Sequence, residues 1–550
     1  MSGAGWRWHL GAVALYAAVA YGVIAHGAGV TSTIWGSGSD PYPFMWFFAW
    51  WPYALAHHLN PLFTTLVWQP WGVHLGWTTC VPLLALIFAP VTLTLGPAAA
   101  YNLAMLAAPV VSGFAAWLLC LRLTGNRWAA LMGGFLFAVS GYEMAECLEE
   151  LNLAYNFAPP LLLLLAVRRL QGEISWPAAV LGVAAVLGAE FYVSVESFAT
   201  SIVFGGVAWL LGWGMLPRWR GRMVRLLGEG AIAIAITILG CAPFLVPMLM
   251  HHDVQIPGGW AKWFVARPGG LLMPSPEIVL TDPHWAPLGY GLFGLLPDND
   301  AVTGLPLIIM LGLLLRTRGR ELVVRYAFVM LFVILLCALG PRLWWQSQQT
   351  SILLPWRLVA GLPLLGSALP VRFLSYSSLL VTALCSLWLA GGRRRAVLGV
   401  LGGLVLIPAP HPVKPVPLEA LFQPGRLQAV LAAPQPRVLL LPGQDQDASP
   451  LWQVQNQFGF VATRGFLGMP PVKEMGFPGL VDISFGLRTA RMDGQIRQFC
   501  FETGTNFVLA PPDVQPSLLT LFEGFGWPMR QVDGFAIFTV PQGVNSRAGS

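Results

Sequence analysis

Apolar stretches alternate with short arginine clusters throughout the first 410 residues of this chain. No other feature narrows the possible folds so far. A span needs about 20 apolar residues, and inside lipid each backbone polar group must find its partner within the protein, so such stretches fold as helices. Composition agrees: of 550 residues, 56% are hydrophobic and 10% charged, against roughly 25% charged in a soluble domain. The expected fold class is an all-α polytopic membrane domain of about eleven helices over residues 1–410, followed by a small soluble α/β domain over residues 411–545. The net charge of +6 is spread over short clusters between apolar runs, which is the positive-inside pattern and no nucleic-acid surface.

The clusters set the topology. They are Arg7; Arg122 and Arg127; Arg168 and Arg169; Arg218, Arg220, Arg222 and Arg225; Arg316, Arg318, Arg320 and Arg325; and Arg393, Arg394 and Arg395. With every cluster cytoplasmic, helices fall at 9–28, 98–121, 128–142, 155–168, 177–193, 198–216, 229–250, 302–315, 325–340, 374–391 and 396–409. The first, preceded by Arg7 and followed by no small-residue cleavage site, reads as an uncleaved signal anchor with a cytoplasmic N-terminus. Residues 79–95 are apolar too, but Pro82 and Pro90 interrupt them. If they crossed, every later cluster would change sides, so they are expected to be re-entrant or to lie on the surface. The seven cysteines show no metal-ligand spacing. Most lie in apolar runs, where a thiol acts as a small hydrophobe.

This parity gathers carboxylates on the outer face. Up to residue 253 that face carries Asp40, Glu143, Glu146, Glu149, Glu150, Glu190, Glu196 and Asp253, and no Lys or Arg. Cations follow later, at Lys262, Arg267, Arg342, Arg357 and Arg372. Asp40 stands in the Gly/Ser/Pro segment TSTIWGSGSDPYP. It is either a solvated loop acid at a helix end or an acid with a chemical task. The next segment, Phe44–Leu59, is rich in Trp, Phe and Tyr and has one breaker, Pro52. It is expected to be an amphipathic helix at the membrane interface, serving as an aromatic belt or as a platform for a lipid tail or sugar ring. His57 and His58 are adjacent and point different ways on a helix, which argues against a metal pair.

In the second outer loop Glu143, Glu146 and Glu150 recur at i, i+3 and i+7, one face of a helix, with Glu149 beside them. They form a solvated acidic turn, or else contact a metal or a substrate. Glu190 and Glu196 flank the outer end of the fifth span. Residues 251–301 form a long Pro- and Gly-rich stretch. Arg267, Arg357 and Arg372 are each a phosphate or substrate contact, or an interface or ion-pair residue. In the C-terminal region 437–442, 506–511 and 535–540 read as strands, 515–524 as a helix and Asp533-Gly534 as a tight hairpin turn. No nucleophile elbow, Walker motif or metal set occurs there.

An acid in the first outer loop, aromatic segments after it, acids in the second outer loop and a C-terminal appendage together resemble the GT-C class of integral membrane glycosyltransferases. The phrases NPLFTTLVWQPWGVHLGWTT, GPAAAYNLAMLA, LTGNRWAALMGGFLFAVSGY and LPLLGSALPVRFLS are similar to a bacterial branch of that class. The resemblance covers essentially the whole chain. It implies an enzyme of the cell inner membrane, acting in cell-envelope or polysaccharide synthesis. Such an enzyme moves a sugar, with inversion, from a polyprenyl-phosphate or pyrophosphate carrier to a glycan, lipid or protein acceptor outside the membrane. By position, Asp40 matches the class's general base, the acids of 143–150 match its second-loop acidic motif, and Arg372 matches an Arg of its late outer loop. The second loop here has spaced glutamates where the class has a DxD or ExD. A divalent cation, Mg or Mn, is therefore an open part of the expectation. The rival readings are a transporter or flippase of a lipid-linked sugar and a non-catalytic envelope-assembly protein. A transporter would want charges inside the helices and two repeated halves, and neither is evident.

Overall fold

The computed structural model describes residues 5–251, 264–267 and 303–541, apart from 346–347, 363–364, 367, 444–446, 469, 485–488 and 490. Asp253, Lys262 and most of the 251–301 stretch lie outside the described residues. The helices used below are, in chain order, α1 (Gly5–Ala20, continued by a π-turn at Tyr21–Ala25), α2 (Pro41–Ala56), α3 (Pro82–Ile87), α4 (Ala89–Leu95), α5 (Pro97–Thr124), α6 (Arg127–Ala138), α7 (Gly141–Glu149), α8 (Leu151–Ala154) and α9 (Ala158–Leu170). They continue with α10 (Trp176–Phe191), α11 (Val195–Met215), α12 (Arg220–Met250), α13 (Leu305–Arg318), α14 (Leu322–Ala338), α15 (Leu374–Leu389), α16 (Ala396–Val405) and α17 (Ser449–Gln455).

Among the described residues helical segments overlap the predicted spans, several of them shorter than predicted. Among the described residues six stretches are long and apolar enough to cross a bilayer: Gly5–Ala25, Pro97–Thr124, Leu151–Leu170, Val195–Met215, Pro217–Met250 and Pro370–Leu389. The chain is a membrane protein. Trp176–Phe191 and Leu322–Ala338 are apolar but shorter. The proline-interrupted segment 79–95 forms α3 and α4, broken at Phe88 and each far shorter than a span.

The chain divides into two compact units. The first comprises residues 1–29, 102–241 and 257–413; the second comprises 30–101, 242–256 and 414–550. The first outer loop therefore groups with the C-terminal region, where the sequence suggests a boundary only near residue 410.

In the first unit α15 packs against α6, α13 and α14 and is buried along most of its length. Close approach depends on small residues, as is usual between membrane helices. A Cβ at Gly133 of α6 would collide with Ser386 Oγ and Cys120 Sγ. The predicted basic clusters meet. Arg122 and Arg168 both pair with Glu173, and Arg169 with Glu229 at 2.6 Å. Trp8 packs edge-on against Trp128 at 4.8 Å, with Arg127 above its ring. The beginnings of α1 and α6 thus share one end of this unit. That is the relation expected if segment 79–95 does not cross. A hairpin of β1 (Arg342–Trp345) and β2 (Gln348–Leu353) lies in the chain between α14 and α15.

The second unit holds a five-stranded sheet. Its strands are β3 (Arg437–Leu440), β4 (Val461–Ala462), β5 (Phe507–Ala510), β6 (Met529–Val532) and β7 (Phe535–Thr539), in the order β6-β7-β5-β3-β4. β3 pairs in parallel with β4 and β5, while β7 pairs antiparallel with β5 and β6. Asp533 and Gly534 both take positive φ, 52° and 84°, the geometry of the two-residue turn read from the sequence. The helix expected at 515–524 is present at Pro516–Glu523.

One expectation is corrected in this unit. The aromatic segment is no amphipathic surface helix. α2 buries Tyr42, Phe44, Met45, Trp46, Phe47, Phe48, Trp50, Trp51 and Ala54, on all sides of its axis. It packs on α3, α4 and α17. Its side chains are apolar all round, the composition of an enclosed helix. Gln453 of α17, itself buried, accepts a hydrogen bond from Trp46 Nε1 at 2.7 Å and donates to the carbonyls of Leu66 (2.8 Å) and Phe460 (3.1 Å). Gln453→Leu would strand Trp46 Nε1 and the Phe460 carbonyl, while the Leu66 carbonyl keeps the Ala462 N–H at 2.8 Å, and is expected to cost about 2 kcal/mol. Thermal unfolding of the purified protein checks this, and an unchanged midpoint would contradict it.

Candidate functional site

Two constellations contain the predicted residues, one in each unit. In the first unit α6 carries the chain away from the arginine-rich end to Ser140. The Ser140 hydroxyl caps α7 by accepting from Glu143 N–H at 3.4 Å. The expected single acidic face is not kept. α7 ends at Glu149, and Glu150 leaves helical geometry (φ −101°, ψ 76°) before α8 begins. Glu143 and Glu146 therefore point into the protein and are buried, while Glu149 and Glu150 are half-buried. The break redirects Glu150 toward Arg372.

Arg372 is the hub. It sits on the 3-10 turn Pro370–Phe373, directly before α15. Its Nη1 donates to Glu196 Oε2, and its Nη2 lies 3.5 Å from Glu150 Oε1. Glu196 occupies the first turn of α11, where the helix dipole favours a negative charge. Its other oxygen accepts from Leu369 N–H at 3.0 Å. Next to this pair, Glu190 Oε1 accepts from Ser201 Oγ at 2.8 Å, and the Tyr376 hydroxyl meets both Thr200 (2.8 Å) and Ser201 (3.1 Å). A small cleft of about 10 Å³, room for about one water molecule, is lined by Glu190, Glu196, Arg372, Asn156 and the rings of Tyr142, Tyr155 and Tyr376. Asn156 Nδ2 and Glu190 Oε2 lie buried at its wall with no hydrogen-bond partner among the described residues. Two carboxylates on one guanidinium leave the trio with a net negative charge. The cleft can accept from hydroxyl groups, and an anion reaching Arg372 must share it with the carboxylates.

Of the three arginines singled out in the sequence, only Arg372 lines this cleft. Arg357 is exposed, and Arg267 stacks over the Trp344 ring at 5.0 Å. Among the described residues no three His, Cys, Asp or Glu side chains are grouped so as to hold a metal ion. Glu150 and Glu196 both engage Arg372.

Glu143 is fully buried, and neither carboxyl oxygen makes a hydrogen bond among the described residues. Burial holds its proton far above the usual carboxylate range, offset in part by Ser112 and Asn156 nearby. Below the ordinary value of 4.5 both folded and unfolded states are neutral, and Glu143 carries no titration penalty. Above it the unfolded carboxyl ionises while the folded one does not, so stability falls by about 1.4 kcal/mol per pH unit until the raised value is passed. Glu143→Gln removes the titration. Its melting temperature relative to the parent protein is expected to rise between pH 5 and pH 7. An identical difference at both values would contradict the assignment.

In the second unit Asp40 stands at the N-cap of α2, yet its side chain makes no capping bond. The local sequence explains this. Pro41 and Pro43 have no N–H to offer, and the N–H of Tyr42 is taken by the Ser39 carbonyl at 3.1 Å. The half-buried carboxylate is thus not needed to start the helix. Its loop is held from the C-terminal segment. Lys414 Nζ donates to the Gly38 carbonyl and sits 4.7 Å over the Tyr42 ring, and the N–H of Asp447 donates to Ser39 Oγ at 3.2 Å. Burial, with Asp513 and Asp447 adding, raises the Tyr42 phenol. The sequence reading missed Lys414, Tyr376, Asn156 and Ser201. Only Lys414 carried a signal, as one of three lysines in a chain that otherwise uses arginine.

No family model matches the sequence, and no curated protein matches it. Solved structures do match. The arabinofuranosyltransferase AftD from Mycobacteria aligns in two conformational classes with TM-scores of 0.58 and 0.56 at 15% identity. That match covers 97% and 98% of this chain and 41% and 42% of the other, so this chain spans about two fifths of the mycobacterial protein. The oligosaccharyltransferase AglB from Archaeoglobus fulgidus, in complex with an inhibitory peptide and a dolichol-phosphate, aligns with a TM-score of 0.48 at 11% identity, over 98% of this chain and 75% of that one. The fold is that of the GT-C membrane glycosyltransferases.

Proposed function

We propose that this chain is a membrane glycosyltransferase. In this reading it moves a sugar from a polyprenyl-phosphate or pyrophosphate carrier to an acceptor hydroxyl on the outer face of the membrane, with inversion. The observation that carries the proposal is Asp40, a half-buried carboxylate in the first outer loop at the start of α2, in a chain with the GT-C fold. The acceptor oxygen attacks the anomeric carbon, its proton passes to the Asp40 carboxylate, and the bond from that carbon to the carrier phosphate oxygen breaks. The leaving phosphate needs no proton, but its growing charge favours a cation. Arg372 supplies it. Glu150, at 3.5 Å, is the looser of its two carboxylate partners and the one a phosphate would displace, while Glu196 holds the guanidinium in place.

The shared arginine-rich end of the first unit is assigned to the cytoplasm by the positive-inside rule. The end bearing α7 and Arg372 then faces outward. Mass spectrometry of lipid-linked sugars and envelope glycans from a deletion strain tests the reading in the cell. The expected result is accumulation of an unspent carrier-linked sugar, with loss of one sugar residue from a glycan. Unchanged profiles of both would sink it.

A further inference from the structure

The hairpin of β1 and β2 and the turn after it serve no part of the cleft, and their surface is unusual. Trp345 is 63% exposed, Ile352 54%, Leu353 56%, Leu358 85% and Leu362 51%. Exposed apolar groups grouped in one short segment mark an interaction surface. Arg342 and Arg357 are exposed among them, and neither makes an ion pair with any described residue. Residues 341–373 contain no Asp or Glu at all. The segment joins the apolar helix α14 to the span Pro370–Leu389, so it begins and ends where membrane helices end. A tryptophan, aliphatic side chains and arginines with no ion-pair partner among the described residues, at a helix end, match the chemistry of the bilayer interface.

We propose that this hairpin docks on the anionic phospholipid surface of the membrane in which the protein sits, its apolar side chains in the acyl boundary and Arg342 and Arg357 on headgroup phosphates. Charge complementarity selects this occupant. A second copy of the chain would bring the same arginines against each other. The assignment is independent of the sugar-transfer reading, and it gives Arg357 a role away from the donor.

The native cysteines among the described residues are all buried, so a single Ile352→Cys can carry an environment-sensitive fluorophore on the full-length protein in nanodiscs. With anionic lipid the label should emit as from an apolar medium and be quenched by acyl-chain nitroxides. In zwitterionic lipid the quenching should fall, as it should for Arg342→Gln with Arg357→Gln, by roughly fivefold in hairpin partition for each arginine. The Lys pair at these positions should retain the lipid dependence, which separates loss of charge from a misfolded hairpin. Water-like emission in both lipids would overturn the proposal. So would burial that follows protein concentration and not lipid charge, the mark of a second copy. Recovery of quenching in zwitterionic discs by one equivalent of polyprenyl phosphate would overturn it too, by assigning the surface to the carrier.

Discussion

Asp40→Asn is expected to lower the turnover of sugar transfer by about 10²- to 10⁴-fold, the range for loss of a general base, with little change in the apparent affinity for donor. The reason is local. Asparagine keeps the size and shape of the side chain and removes its charge and its ability to take a proton. At an ordinary N-cap, exchange of the capping group would also cost roughly 1 kcal/mol of stability. Here Asp40 makes no capping bond, so that particular cost does not apply. The variant should fold and turn over slowly. Asp40→Glu, which keeps the base but moves it, should recover part of the rate. A variant that transfers sugar at the parent rate would remove Asp40 from the chemistry. One that loses rate and stability together would make it a structural residue.

The second large effect belongs to Arg372. Two carboxylates from different helices converge on it, Glu196 of α11 and Glu150 at the start of α8, and all three side chains are largely withdrawn from water. Arg372→Met leaves both acids without their cation and is expected to destabilise the protein by about 3 kcal/mol, as removal of one partner of an enclosed ion pair does. Adding Glu196→Gln to that variant should restore much of the loss, because it removes the stranded charge. Thermal melts of the two single variants and the double variant form a cycle that isolates the coupling. Additive effects would mean that the pair carries no mutual energy. Activity should not follow stability in this series. The double variant regains its fold but lacks the group assigned to the donor phosphate, so transfer should stay low.

What could be read from the sequence was local or periodic. The six long apolar stretches were legible because lipid demands a long apolar helix. The Asp533-Gly534 turn was legible because two adjacent residues determine it. The environment of α2 was not. Its aromatic residues fit an interface belt and an enclosed helix equally well, and what decides between them is α17, some 400 residues away in the chain, reaching Trp46 through Gln453. Spacing placed Glu143, Glu146 and Glu150 on one face, but the helix stops one residue too early for that. Nothing in the local sequence could show that Glu150 turns to meet an arginine 222 residues later. Asp40 lies between these cases. Its place in the first outer loop draws attention to it, and the flanking prolines carry the reason that its side chain makes no capping bond.

The most direct test is the reaction itself. The purified full-length protein in proteoliposomes, supplied with a radiolabelled polyprenyl-phosphate sugar and a mixed glycan acceptor, should form a new glycosidic bond. The anomeric configuration of that bond should be opposite to the donor's. Movement of the intact lipid-linked sugar across the bilayer with no such bond would contradict the account and make the chain a transporter.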